Sequence, residues 1–151
     1  MSEDNPFRVF VAHTFTEHTD YLRVFEYLES RDNFFYVNVS NPSAKPVGPD
    51  SEALKEELRK QINLAEILIL PIAIFAKDPV LITFQMDAAK GMGKPVLGIK
   101  AFGDTIEMPK SVIKTADDIV EWNDRTIVDA IRRLARNENT LTYETIEFKL
   151  D

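Results

Sequence analysis

The most constraining feature of the chain is Ile67-Leu68-Ile69-Leu70-Pro71-Ile72. It is an unbroken apolar run, with no polar residue to face water on either side. A strand of that kind must be covered on both faces, as in the centre of a parallel sheet with helices above and below it. The rest of the sequence supplies the covering layers.

Phe7 to Ala12 reads as a short buried strand, Phe34 to Val39 as a second, Lys94 to Ile99 as a fourth and Ile119 to Trp122 as a fifth. Between them lie segments of helical period. Thr14-Phe15-Thr16-Glu17 has the form of a capping box, followed by Tyr21, Leu22, Phe25 and Leu28. Asp50 or Ser51 caps a helix whose buried face is Leu54, Leu58 and Ile62. Asp78-Pro79 opens a third helix, which ends at Gly91 or Gly93. Asn123 or Asp124 opens a last one carrying Ile127, Ile131 and Leu134. Strands alternating with helices give right-handed crossovers and an α/β fold. The expectation is a flavodoxin-like three-layer αβα domain with a mainly parallel five-stranded sheet. It is read as a single domain over 1–151, with a core of about 7–136 and an extension of 137–151. In the extension, Leu141, Tyr143, Ile146, Phe148 and Leu150 alternate loosely, which suggests an added strand at a sheet edge or in an oligomer contact. A loose surface tail is the equal alternative.

Open parallel sheets bind ligands at the carboxyl ends of their strands, near a topological switch point. Three segments are expected there: His13 to Thr16, the proline-rich loop Ser40 to Pro49, and Phe75 to Gln85. The loop is long for a plain connection, and long loops often carry function.

Composition narrows the chemistry. The chain has 18 basic and 25 acidic residues, a formal charge of −7, and no basic run. That disfavours nucleic acid and anionic membrane as partners. It has no cysteine, which rules out disulfides, thiolate nucleophiles and cysteine metal sites. Two histidines, His13 and His18, are too few for a histidine-rich metal site, so no metal is expected. The polar, acidic N-terminus is unlike a signal peptide, and no apolar run reaches membrane-spanning length; a cytoplasmic location is the expectation. There is no phosphate-cradling P-loop, no dinucleotide glycine fingerprint and no serine elbow. Gly91-Met92-Gly93-Lys94-Pro95 follows a helix and precedes a strand, so it reads as a helix stop.

Two stretches carry a resemblance. Arg8-Val9-Phe10-Val11-Ala12-His13-Thr14 is a strand running into a polar loop. Phe84-Gln85-Met86-Asp87-Ala88-Ala89-Lys90-Gly91-Met92-Gly93-Lys94-Pro95-Val96-Leu97-Gly98-Ile99 resembles the W-x-x-x-E-I-x-x-A-x-x-x-G-K-P-V-I-G-V segment of TIR and TIR-like domains, notably the bacterial branch of Thoeris antiphage systems. The likeness spans roughly Arg8 to Arg136. It implies an NAD+-consuming enzyme that breaks the nicotinamide–ribose bond. The ADP-ribose-derived product, cyclic or conjugated, would activate a partner effector protein. No cofactor beyond NAD+ as substrate is implied, and a homo-oligomer would fit.

The family's catalytic glutamate falls on Gln85. Cleavage builds positive charge on the ribose, and a fixed carboxylate stabilises that charge. Glutamine keeps the shape without the charge, at a cost on the order of 2–4 kcal/mol or more in catalysis. The departure reads first as an engineered inactivation. Natural loss of activity, or a shifted register with Asp87 as the acid, are the alternatives. For substrate binding the candidates are His13, Thr14, Phe15, Asn41, Ser43, Lys45 and Phe84. Each also has a plain structural reading: loop histidine, helix cap, staple, solvated loop or core phenylalanine. Asp78 reads as a cap and Trp122 as core or pocket wall. Two other functional readings stay open: a TIR adaptor that assembles without chemistry, and a nucleoside deoxyribosyltransferase-like enzyme with a carboxylate beside a ribose.

Overall fold

The computed structural model describes residues 3–48, 50–101 and 107–138. The tail alternation at 141–150 lies outside them. Among the described residues five strands form one parallel sheet: β1 (Phe7–Val11), β2 (Tyr36–Asn38), β3 (Ile67–Pro71), β4 (Val96–Ile99) and β5 (Asp118–Val120). Their order across the sheet is β2-β1-β3-β4-β5, so the apolar run forms the middle strand, as its composition requires. All five residues of β3 are buried. Registers Phe7↔Tyr36, Val9↔Ile67, Leu68↔Val96 and Leu97↔Asp118 align the strands in one direction.

Among the described residues six helices cover the sheet: α1 (Thr19–Glu29), α2 (Ser51–Asn63), α3 (Ile72–Phe75), α4 (Pro79–Gly91), α5 (Lys110–Thr115) and α6 (Asp124–Arg136). α1 packs with α6, while α2 and α5 both pack on α4. The result is an α/β sheet flanked by helices, the flavodoxin-like three-layer arrangement. β1 and β3 are neighbours although β2 intervenes in the chain. The switch point therefore falls between the carboxyl ends of β1 and β3.

Local signals explain most boundaries. Asp50 accepts from the Glu52 amide, Asp78 from Leu81, and Asn123 from Thr126. α4 stops in a Schellman turn: Gly93 at φ 75° bonds back to the Lys90 carbonyl, and the Lys94 amide reaches the Ala89 carbonyl at 2.8 Å. The start of α1 departs from expectation. Thr14 caps no helix; its hydroxyl lies 3.1 Å from that of Thr16. The helix begins five residues later, capped by the His18 ring, whose Nδ1 accepts from the Asp20 amide. Within it Leu22 faces outward, against expectation, and Val24 lies in the core. The β5 strand ends before Trp122, whose indole packs edge-on against Tyr27 of α1, centroids 5.2 Å apart.

Candidate functional site

His13 follows β1 at the switch point and is only 1% exposed. Gln85, at the middle of α4, is fully buried. The two meet through main chain. The His13 amide donates to Gln85 Oε1 at 3.1 Å, and Gln85 Nε2 donates to the His13 carbonyl at 2.7 Å. The same Nε2 also reaches the Leu81 carbonyl at 3.3 Å. The glutamine thus pairs with the β1 loop as a neighbouring strand would, using donor and acceptor together. A carboxylate has no donor to offer His13 O, so the amide of Gln85 is the group around which this contact is built.

The imidazole is held just as firmly. Nδ1 accepts from the Phe15 amide at 3.1 Å. That assigns the proton of the neutral ring to Nε2, which then donates to Gln61 Oε1 at 2.9 Å. Gln61 Oε1 also accepts from the Asn41 amide at 2.9 Å, while its Nε2 donates to the Asn41 carbonyl and to Glu57. One buried amide therefore ties the β1 loop to the loop after β2. Burial pushes the His13 pKa below its ordinary 6.5, and the Gln61 hydrogen bond and the Glu57 charge only partly offset this. The ring is consequently neutral near pH 7 and has no lone pair to spare for a ligand.

The remaining candidates divide. Phe15 is buried against the His13 ring, with centroids 5.0 Å apart. Asn41 joins the site through its main chain, and its side chain accepts from the Ser43 amide at 3.1 Å in an Asx turn. Thr14 is half-buried. Lys45 is exposed, and nothing joins it to His13. Phe84 points away from the β1 loop toward α2, where Arg59 and Lys55 lie over its ring at 5.1 and 5.6 Å. Asp87, the alternative acid, is exposed on another face of α4.

Gln61 escaped the sequence reading, although a signal was present. It lies three residues after Leu58 and seven after Leu54, on the buried stripe of α2, where a polar side chain needs partners. Tyr21 escaped as well. Its hydroxyl lies 2.9 Å from Ser40 Oγ and accepts from Asn38 Nδ2, so it braces the end of β2.

Among the described residues no group of His, Cys, Asp and Glu could hold a metal ion, and no helix is long and apolar enough to cross a membrane. Comparison with protein-family models and with curated proteins finds no match to this chain.

Proposed function

We propose that the chain is a TIR-like domain whose carboxyl edge handles an NAD+-type nucleotide, with bond cleavage weakened by the amide at position 85. One observation carries the reading. The two stretches behind the resemblance, 72 residues apart in sequence, meet in space through paired hydrogen bonds between Gln85 and His13. They do so at the switch point, where this sheet order places ligands. In this reading the nicotinamide–ribose bond breaks beside α4. The ADP-ribose-derived product acts as a cytoplasmic signal to an effector protein in antiphage defence. Without a carboxylate, charge on the ribose has no fixed counter-charge at that position, so turnover is slow.

A second reading, a non-catalytic TIR-type assembly domain, is favoured by the full engagement of Gln85. Its polar atoms are spent on main chain, and none faces a ligand.

Calorimetry with ADP-ribose and a nicotinamide-release assay, run on the native protein and on Gln85→Glu, separate the two. The nucleotide reading expects both folded proteins to bind ADP-ribose and the glutamate form to release nicotinamide faster. Absence of binding to either folded protein overturns it. Concentration-dependent sedimentation without nucleotide binding favours assembly.

A further inference from the structure

Phe15 adopts φ 61°, a left-handed backbone that a bulky residue keeps only when its surroundings impose it. One ring makes two of the contacts that hold it. The Phe15 amide donates to His13 Nδ1, and the Phe15 side chain packs edge-on against the same imidazole. On its other side the imidazole donates to Gln61, which holds Asn41 by two main-chain hydrogen bonds.

We propose that His13 is an acid-sensitive latch: the neutral ring holds the β1 loop closed at Phe15, and the protonated ring releases it and opens the carboxyl edge. The chemistry is a reversal of role at one atom. Nδ1 has a single lone pair, and the Phe15 amide uses it. A proton there sets a donor against a donor. The buried amide then lacks an acceptor, and the hydrogen bond that helped offset the left-handed backbone is lost, so the segment moves to an open conformation.

The groups facing the ring decide whether this is a local event. α1 presents Tyr21, with centroids 6.3 Å apart, and β1 presents Phe10 at 5.5 Å. α4 presents the uncharged Gln85, which binds the His13 main chain. α2 presents Gln61 and, 2.9 Å beyond it, the Glu57 carboxylate. Of these, Glu57 and Tyr21 are the ionisable groups, and Glu57 supplies a counter-charge two hydrogen bonds away, through Gln61. That charge lets the imidazolium persist within a folded protein, while burial keeps the transition below the ordinary histidine range. The inference concerns the loop itself and stands whether or not the edge takes a nucleotide.

Nitrogen and proton NMR of the native protein, titrated from about pH 7.5 to about 4.5 across the histidine range, tests it. At the neutral end the His13 ring should show the Nε2–H tautomer. The Phe15 amide resonance should then move with the ring's titration, and one pH unit below the midpoint its exchange protection should fall about tenfold against core amides. Glu57→Gln should lower the midpoint. His13→Asn, which keeps an acceptor near the place of Nδ1 but cannot titrate, should leave Phe15 unmoved across the range. An Nδ1–H tautomer at neutral pH, a Phe15 amide indifferent to ring titration, or global unfolding as the first event each overturns the latch.

Discussion

At the scale of the residue, Gln85 is the informative position. Its amide fits because one oxygen accepts and one nitrogen donates along the His13 peptide unit. Gln85→Glu retains the acceptor and sets a second oxygen against the His13 carbonyl, in a place without solvent. The expected loss is about 1–3 kcal/mol, the cost of leaving a buried polar group unmatched. It should depend on pH. A neutral carboxyl can donate as the amide does, so burial raises the introduced group's pKa. The variant should then approach native stability near about pH 4 and weaken as pH rises past the ordinary glutamate value. Urea titrations of both proteins at several pH values measure this; an equal gap at every pH would refute it. The sequence pointed to both His13 and Gln85 as edge residues. It could not show that the side chain of one grips the main chain of the other, because that pairing exists only once β1 and α4 are packed. Gln85, which the resemblance casts as a lost charge, has a structural use in this fold.

At the scale of the element, legibility followed the strength of local chemistry. Aspartate and asparagine caps at α2, α4 and α6 were visible as residue types, and so was the glycine stop of α4. The start of α1 was not, because its cap is a histidine ring, a rare capping group, while Thr14 offered the commoner pattern and went unused. The short α3 was hidden by continuity with the apolar run of β3, since four residues carry too little period to declare a helix. α4 gives the clearest test at this scale. Asp78 supplies the acceptor for the Leu81 amide at 3.1 Å, ahead of Pro79. Asp78→Ala should cost about 0.5–2 kcal/mol in urea unfolding, the usual value of a lost cap. Asp78→Asn, which keeps the side-chain oxygen, should recover most of it. Loss in both variants alike would mean that charge, not the cap, is what matters at position 78.

At the scale of the whole molecule, the parallel sheet with its middle strand followed from the apolar run 67–72 and from the alternation of strands with helices. What closes the molecule at the amino end of the sheet was invisible, because it links residues from the two ends and the middle of the chain. Arg136, the last residue of α6, donates to both Glu66 carboxylate oxygens at 2.7 and 2.9 Å, and to the carbonyls of Asn5 and Pro6. Its guanidinium also lies 3.9 Å from the centroid of the Phe7 ring. Glu66 in turn accepts from the Arg8 amide at 3.0 Å. Burial alone would raise the Glu66 pKa, but the Arg136 and Arg8 hydrogen bonds and charges outweigh it and hold the group below its ordinary 4.5. A carboxylate held low in the folded state stabilises above its unfolded pKa, and that contribution is lost as pH falls through the folded value. Arg136→Met keeps the aliphatic stem over Phe7 and removes the forked donor. It should cost about 1–3 kcal/mol near neutral pH, the range for hydrogen bonds to a charged group left without its partner. The gap from the native protein should then narrow as the solution is taken below about pH 4.5, because protonating Glu66 removes the charge that the arginine served. Thermal or urea unfolding of the two proteins across that acid range reads the convergence directly. A gap that stays constant into strong acid would place the effect in the Asn5 and Pro6 carbonyl contacts and the packing on Phe7 rather than in the pairing with Glu66.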